Sequence, residues 1–365
     1  MRIVHATNAY AAHSGGIRTT VRALGRGYRA AGHDFVLVTP GRRATTTEHD
    51  WGRHVVLAGT PVPGSGGYHA LPRIDPVLAA LESVEPDRVE VSDRLTLRGI
   101  GRWATSAGIP SVVFLHEQLE GVLSAFSPLG PRGLRRIVDR HNAGTVDRFD
   151  QVVTTTWFAA RELARIGLTS VHVPLGVDLE AFRPPTRRDG RPDVRLVLCS
   201  RLSREKRPGL AIDALAHLLR GGLRAQLVVA GDGPLRRSLE RRAADLPVQF
   251  VGHLAGRREV SELLGGSDVL LAPGPIETFG LAALEALACG TPVVASETSA
   301  VRELLVPGAG TCTAPDGPAI AAGIRQVLAL PHADRTAAAR ARAEEFPWDR
   351  TTGMLLDLHR AARAA

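Results

Sequence analysis

Residues 273–296 read PGPIETFGLAALEALACGTPVVAS, which is a helix pattern followed by a strand pattern. Its small and apolar central run predicts a helix that begins after Glu277 and contains Glu285, two glutamates separated by seven residues. The turn CGTP at 289–292 should end the helix, and Val293-Val294 should lie in a buried strand. Glu277 is then expected in the loop before the helix. Glu285 is expected about two helical turns further on, on the face of the helix start.

This helix start offers several groups to a ligand. The first N–H groups of a helix lack partners and favour an anion, and each carboxylate can accept hydrogen bonds from a pair of hydroxyls. Alternatively, Glu277 caps the helix and Glu285 is a solvated charge. Glu285 interrupts LAALEALA, however, where its neighbours are small or apolar. A carboxylate buried there needs a hydrogen-bond partner.

Strand and helix patterns alternate along the rest of the chain, which predicts doubly wound parallel α/β sheets. The expected strands cover residues 2–5, 35–38, 55–57, 88–91, 111–115, 151–154 and 171–173, and then 196–199, 225–229, 249–251, 269–272 and 292–295. The Pro-rich stretch 183–192 reads as a linker between two domains. A final helix is expected over 349–364.

Composition is consistent with two domains, because the chain has 365 residues of which 44% are hydrophobic. The formal net charge of +8 suits phosphorylated ligands, anionic membranes or nucleic acid. With 4% aromatic residues and no nucleic-acid motif, no nucleic-acid partner is expected.

The three cysteines lack paired spacing, which favours a reducing cytosol. Neither a signal peptide nor a run of transmembrane length is recognised, so a cytoplasmic location is expected and any membrane contact should be peripheral.

Several loops that follow strands carry candidate ligand-binding residues. Ser14-Gly15-Gly16 precedes a helix, where glycines allow a close backbone approach, although a plain tight turn is the alternative. His116 ends the strand 111–115, with a surface histidine as the alternative. Beside it, Glu117 either orients His116 or is solvated.

The loop CSRLSREKRP after strand 196–199 contains Arg201 and Lys206. A lysine is a compact charge and an arginine a planar fork, and both suit phosphate. A solvated basic loop would read similarly. Lys206, however, is the only lysine among 45 Lys and Arg residues, which suggests a point-charge contact at this position.

The segment from Glu277 to Glu285 resembles the E-x7-E signature of the retaining glycosyltransferases of family 4, and the resemblance extends over nearly the whole chain. It implies the GT-B fold, with two Rossmann-like doubly wound domains facing a cleft. An acceptor-binding domain is then expected over 1–178 and a nucleotide-sugar-binding domain over 179–345. A C-terminal helix over 346–365 is expected to cross back to the first domain.

The resemblance also implies a role for each motif residue. Gly16 is implied to lie near the donor phosphate, with Arg201 and Lys206 on the diphosphate. Gly231 is implied near the nucleotide, Gly252 and His253 at its base, and Glu285 on its ribose. Glu277 is implied to bind the sugar hydroxyls, and the amides of Thr278, Phe279, Gly280 and Leu281 to contact sugar and phosphate. His116 is implied to lie near the transferred sugar, and His116, Glu277, Arg201 and Lys206 form the implied catalytic set. No D-x-D motif occurs, so neither a metal nor a cofactor is expected.

Four segments, at 14–19, 89–98, 173–178 and 272–275, are similar to actinobacterial mannosyltransferases of the PimC type, which act on phosphatidylinositol mannosides. That similarity implies GDP-mannose as donor and a lipid-linked acceptor. Arg132, Arg135, Arg136 and Arg140 would then contact anionic headgroups, or form a solvated basic face.

The donor base stays open. Some guanine-using relatives carry an acidic residue soon after the glycine that corresponds to Gly252. In this chain residues 253–259 read HLAGRRE, so the first acidic residue is Glu259. The alternative is a transferase that uses UDP-GlcNAc or a similar donor and a soluble acceptor in natural-product or polysaccharide biosynthesis.

Three other classes of protein fit the sequence less well. A phosphorylase needs a pyridoxal-binding lysine, and the only lysine lies in the diphosphate motif. Epimerases lack this combination of motifs, and a nucleotide-sugar sensor would tolerate loss of the charged residues that are present here. The oligomeric state is left open.

Overall fold

A computed structural model describes residues 1–11, 15–62, 67–124, 131–186 and 193–362. Ser14 of the predicted glycine loop and residues 187–192 of the predicted linker lie outside this range. The chain divides into two compact units, one formed by Met1–Gly176 with Trp348–Ala365 and the other by Val177–Pro347. The sequence placed these divisions after residues 178 and 345. Val177 belongs to the second unit because its N–H donates to the carbonyl of Phe346 at 2.8 Å.

The strands are β1 Arg2–Ala6, β2 Asp34–Gly41, β3 Thr45–His49, β4 Gly52–Ala58, β5 Thr60–Pro61, β6 His69–Ala70, β7 Arg88–Val91, β8 Ser111–Leu115, β9 Gln151–Thr154, β10 Val171–His172, β11 Val194–Cys199, β12 Ala225–Ala230, β13 Val248–Gly252, β14 Val269–Ala272, β15 Val293–Ser296 and β16 Gly310–Thr313.

The α-helices are α1 Gly16–Ala30, α2 Asp75–Val84, α3 Gly99–Ser106, α4 Leu119–Ser124, α5 Pro131–Val146, α6 Trp157–Ala164, α7 Gly209–Arg220, α8 Arg236–Arg242, α9 Arg257–Gly265, α10 Leu281–Ala288, α11 Gly317–Leu328, α12 His332–Glu344 and α13 Trp348–Ala361. Short 3-10 helices span Arg204–Lys206 and Ala300–Leu304. No helix within the described ranges is both long enough and apolar enough to cross a bilayer.

The first unit contains a sheet of strand order β10-β9-β8-β7-β1-β2-β4-β3. All neighbours are parallel except β3, which runs antiparallel to β4. The sequence did not predict β3, because TTTEH has no apolar position and all five of its residues are exposed at the sheet edge. The chain winds outward from β1 in both directions, so the order switches between β1 and β7.

Alternating side chains supply the two faces of this sheet. On β1, Ile3 packs with Tyr28 of α1 and Leu355 of α13 on one face, whereas Val4 packs with Leu81 of α2 on the other. On β7, Val89 and Val91 face the α2 side. The residue between them, Glu90, therefore points towards α1 and α13.

The second unit has the strand order β13-β12-β11-β14-β15-β16, with every neighbouring pair parallel. The core on one face joins β11, β12 and β14 with α7 and α11. On the other face, α10 contacts β14, β15, α9 and α12. The order switches between β11 and β14, and ligands of doubly wound sheets bind beyond the strand ends at such a switch.

Candidate active site

Two loops at the switch point of the second unit carry the predicted donor-site charges. The loop after β11 contains Arg201 and Lys206, and the loop after β14 contains Glu277. Nζ of Lys206 lies 2.5 Å from Oε2 of Glu277, and the two side chains are 22% and 24% exposed. The tertiary structure therefore brings together two predicted residues that are 71 positions apart.

The backbone at the start of α10 is held by packing. Gly280 has φ +89°, and a Cβ there would lie 2.6 Å from Cγ2 of Val301, so this position requires glycine. Phe279 is buried, while Thr278 and Leu281 are partly buried. The N-cap residue of α10 is Gly280, which has no side chain to cap the helix. Anion binding by the first amides of α10 stays a prediction.

Glu285 lies closer to the helix start than expected. Because α10 begins at Leu281, Glu285 is one turn into the helix rather than two. Burial raises the pKa of its carboxyl to about 7, and the charge of Arg257 opposes that rise. No side-chain hydrogen bond to Glu285 is found within the described part of the chain. Its carboxylate oxygens therefore have unused acceptor capacity.

Glu285 on α10 also acts on Cys199, the last residue of β11. Burial, and then the charge of Glu285, raise the pKa of this thiol to about 12. The high pKa also keeps Cys199 protonated and unreactive.

Arg201 is more exposed than Lys206, since 53% of its side chain is accessible, and its guanidinium donates to Oε1 of Glu205 at 2.7 Å. An exposed pair of this kind contributes little to stability, so the guanidinium can exchange partners at low cost. Arg201 lies in the same loop as Lys206, and within the described ranges its ion pair is with Glu205 rather than with Glu277.

The turns at Gly231 and Gly252, which were predicted to lie near the nucleotide, contact each other. The N–H of Gly231 donates to the carbonyl of Gly252 at 2.7 Å. Gly231 has φ +126°, and a Cβ there would lie 2.0 Å from the carbonyl oxygen of Ser200. This close approach explains the glycine structurally. His253, next to Gly252, is exposed.

In the first unit, Gly16 is the first residue of α1 and is exposed. A Cβ on the residue before it, Gly15, would meet no described residue within 4 Å. Packing against the described residues therefore does not explain the glycine at position 15. The predicted phosphate contact of Gly16 stays a prediction.

His116 follows β8 and is 8% exposed, so the alternative of a surface histidine is wrong. Its ring stacks on Phe114 at a centroid distance of 5.6 Å, and its Nε2 lies 2.8 Å from Oγ of Ser92. Burial, then the charges of His5 and Arg94, lower its pKa to about 3, against a smaller opposing effect of Glu90. The imidazole is therefore neutral near pH 7.

Glu117 does not orient His116. Its carboxylate lies 3.5 Å from Nε of Arg94, and its backbone carbonyl accepts from the same guanidinium at 2.5 Å. Arg94 also pairs with buried Glu162, which in turn accepts the N–H of Leu119 at the start of α4. This cluster fixes the backbone that leads away from His116.

Four residues that act on predicted site residues, three in the first unit and one in the second, were not predicted from the sequence. His5, Glu90 and Ser92 form a buried chain of hydrogen bonds that reaches His116. Arg257 pairs with Asp178 at 2.9 Å and acts on Glu285. The sequence did contain a sign that Glu90 is unusual. It lies between two valines in the strand RVEV, just as Glu285 lies among small and apolar residues in LAALEALA. The described residues contain no cluster of three or more His, Cys, Asp or Glu side chains that could hold a metal.

Comparison with known proteins identifies the class. Residues 15–176 match the family described as glycosyl transferase 4-like domain, and residues 181–345 match the family described as glycosyl transferases group 1. A sucrose-phosphate synthase from Thermosynechococcus elongatus superimposes with a TM-score of 0.81 at 20% identity, covering 99% of both chains. WaaG, a glycosyltransferase involved in lipopolysaccharide biosynthesis, gives a TM-score of 0.73 at 17% identity, covering 99% of this chain and 100% of its own.

The fold is therefore GT-B, and the protein is a glycosyltransferase. The chain belongs to the glycosyl transferases group 1 family, with a glycosyl transferase 4-like domain at its amino-terminal side. A GDP-mannose-dependent alpha-(1-6)-phosphatidylinositol dimannoside mannosyltransferase of Mycobacterium tuberculosis is 45% identical over 98% of this chain and 95% of its own length. The predicted fold class and family are confirmed, whereas the roles of individual site residues stay predictions.

Proposed function

We propose that the protein transfers mannose from GDP-mannose to a lipid-linked acceptor of the phosphatidylinositol mannoside class. The observation that carries this proposal is the 45% identity, over 98% of the chain, to a mycobacterial enzyme whose name states this donor and this acceptor class. The charged groups at the β11–β14 switch point support it, because they suit a sugar linked to a diphosphate.

Each group in the second unit has a proposed donor contact. Arg201 and Lys206 bind the diphosphate, together with the amides at the start of α10. Glu277 accepts hydrogen bonds from the mannose hydroxyls, and Glu285 from the ribose hydroxyls. Glu285 suits this role because its oxygens have no side-chain hydrogen bond among the described residues.

The proposed reaction retains the anomeric configuration. The bond from C1 of mannose to the diphosphate oxygen breaks, and a bond from C1 to the acceptor oxygen forms on the same face. The acceptor proton passes to the leaving phosphate oxygen. Lys206 and Arg201 stabilise the charge that develops on the diphosphate. We propose that this cationic pair makes a bound metal or other cofactor unnecessary.

A row of arginines on α5 is proposed to contact the membrane that holds a lipid acceptor. Arg132, Arg136 and Arg140 are four residues apart and exposed, so they lie on one face of the helix. None of the three forms an ion pair with another described residue. Ile137 beside them is 53% exposed. By contrast, Arg135 lies 3.3 Å from Glu120 and is partly neutralised.

Such a face suits a peripheral contact with anionic headgroups, because each basic residue near the surface contributes about 1 kcal/mol. The exposed apolar side chain of Ile137 adds area that can enter the interface.

The donor is tested by thermal shift of the purified chain with GDP, GDP-mannose, UDP and UDP-GlcNAc, without added metal. A ligand that binds the folded state raises the melting temperature by mass action. The proposal expects a response to GDP and GDP-mannose, followed by mannose transfer to phosphatidylinositol mannosides detected by mass spectrometry. A response to the uridine nucleotides alone would replace it with the alternative of a UDP-sugar transferase with a soluble acceptor. Addition of EDTA should leave the transfer rate unchanged.

A further inference from the structure

A continuous chain of buried hydrogen bonds links Glu90 to His116. Oε2 of Glu90 lies 2.8 Å from Nδ1 of His5, and Nε2 of His5 lies 2.9 Å from Oγ of Ser92. The same Oγ lies 2.8 Å from Nε2 of His116. All four residues are less than 9% exposed.

Glu90 sets the direction of this chain because it acts only as an acceptor. Burial alone raises the pKa of its carboxyl, but hydrogen bonds from His359 and His5 outweigh burial and lower the pKa to about 2. Tyr28 keeps its proton, since burial and the charge of Glu90 raise its pKa well above the usual value. Its hydroxyl donates to Oε1 of Glu90 at 2.6 Å. His359 of α13 lies 2.9 Å from the same oxygen.

The donor and acceptor roles then follow along the chain. Since Glu90 can only accept, His5 has a proton on Nδ1, and when His5 is neutral its Nε2 has a free lone pair. Ser92 has a single hydroxyl proton, which it donates to this Nε2. The oxygen of Ser92 can therefore only accept from His116.

We propose that Glu90, acting through His5 and Ser92, holds His116 in the tautomer with its proton on Nε2, which leaves Nδ1 as a hydrogen-bond acceptor. Ser92, His5 and Glu90 are positioning residues, because they act through His116. Stacking on Phe114 fixes the plane of the ring. A cationic His5 would donate from Nε2 to Ser92, and Ser92 would then donate to His116. The tautomer of His116 therefore shows which way the hydrogen bonds of this chain point.

The consequence for transfer rests on the proposed function. An acceptor nitrogen on His116 would take a hydrogen bond from a hydroxyl of the sugar, whereas the opposite tautomer would present a donor. The tautomer itself is a property of the protein alone and can be measured without a substrate.

The test is a long-range proton–nitrogen NMR spectrum of the full chain labelled with 15N-histidine at pH 7. Loss of one imidazole signal set in His116→Gln assigns His116. The expected result is a protonated Nε2 and an unprotonated Nδ1, which resonate far apart. Ser92→Ala should shift His116 towards the other tautomer or a mixture, and Ser92→Thr, which keeps the hydroxyl, should restore the original tautomer.

Ser111→Ala is the matched control, because Ser111 is a buried serine at the other end of β8 whose hydroxyl donates to Asp150 at 2.8 Å. It should leave the His116 signals unchanged. A protonated Nδ1 in the unmutated protein, or an unchanged tautomer in Ser92→Ala, would overturn the proposal. If the tautomers behave as expected but no mannose is transferred, the proposed function fails and the positioning chain stands.

Discussion

Nζ of Lys206 lies 2.5 Å from Oε2 of Glu277, so the two residues proposed for opposite ends of the sugar–phosphate bond form an ion pair with each other. A donor that binds both must replace this contact with its diphosphate and its hydroxyls. The pair holds each side chain near its proposed position, which lowers the ordering cost when the donor binds.

Loss of the lysine should affect catalysis far more than folding. Lys206→Ala is expected to lower kcat by at least about 10²-fold, since it removes a charge that stabilises the leaving diphosphate. Lys206→Arg should still lose about tenfold, because a planar fork replaces a compact charge. The measurement is the rate of mannose transfer at saturating donor.

Arg204→Ala is the control for Lys206, because Arg204 is an exposed residue of the same 3-10 helix. It should turn over within about twofold of the unmutated protein, the size expected for an exposed charge outside the proposed contacts. Turnover of Lys206→Ala at the unmutated rate would contradict the assignment.

The Lys206–Glu277 pair should contribute little to stability. Both side chains are partly exposed, and pairs of this kind are worth about 0–1 kcal/mol. Glu277→Gln is therefore expected to change the free energy of unfolding by less than about 1 kcal/mol while abolishing most of the transfer activity. Urea denaturation combined with the transfer assay measures both effects. A Glu277→Gln protein that unfolds much more readily would indicate a structural role.

Glu285 should cost stability at neutral and alkaline pH. The pKa of its carboxyl is raised to about 7 in the folded chain, above its value in an unfolded chain. Between about pH 4.5 and 7 the folded state therefore binds more protons, so its stability falls as the pH rises through this window. Glu285→Gln removes the cost, on the order of 1–3 kcal/mol at pH 8 and nearly zero at pH 4.5.

Urea denaturation at pH 4.5 and pH 8 checks the Glu285 prediction. Glu262→Gln serves as a control, because Glu262 is an exposed acid on α9. An equal effect of Glu285→Gln at both pH values would show that the carboxyl is not perturbed. The same substitution should weaken GDP binding if Glu285 contacts the ribose.

Glu90 should have the opposite pH dependence. Its pKa is lowered to about 2, so its ionised form contributes stability above the unfolded pKa, and that stability is lost as the pH falls from about 4.5 towards 2. Glu90→Gln replaces one acceptor oxygen by a donor that faces N–H or O–H groups. We expect a loss of about 3–5 kcal/mol at pH 7, the size seen when one partner of a buried ionic group is removed.

Glu82→Gln, at an exposed position on α2, is the control for Glu90 and should change stability by less than about 0.5 kcal/mol. Denaturant unfolding at pH 7 and pH 3 tests both variants. The difference between Glu90→Gln and the unmutated protein should narrow at pH 3, and a difference that widens there would refute the ionised state.

The arginine row on α5 should govern binding to anionic vesicles. Replacing Arg132, Arg136 and Arg140 together by alanine is expected to weaken binding to vesicles containing phosphatidylglycerol by about 10²-fold at low salt, at about 1 kcal/mol per charge. Vesicle co-sedimentation with and without phosphatidylglycerol measures it.

The control for the α5 row removes equal charge from the second unit, at exposed Arg204, Arg237 and Arg241. Equal weakening in both triple variants would mean that net charge, rather than the α5 face, drives binding. Higher salt should reduce binding of the unmutated protein, because the Debye length shortens.

Most elements could be predicted from the sequence, because a buried parallel strand is a short apolar run with turn residues at both ends. Strands β7, β8, β9 and β14 have the predicted bounds. The edge strands β3 and β16 were missed, because TTTEH and GTCT lack an apolar run. Glu277 and Lys206 were found as motif residues, but Ser92 and His5 were not, because a serine and a histidine near strand ends are common and become informative only when their neighbours are known.

Local patterns along the chain were enough to predict the alternation of strands and helices, the loops at strand ends and the family. Which of these residues meet in space became known only from the folded structure. Glu277 pairs with a lysine 71 residues away, and Glu90 accepts from His359, which is 269 residues away. Such contacts depend on strand order and on where α13 packs, and the periodicity of a single segment contains no information about either.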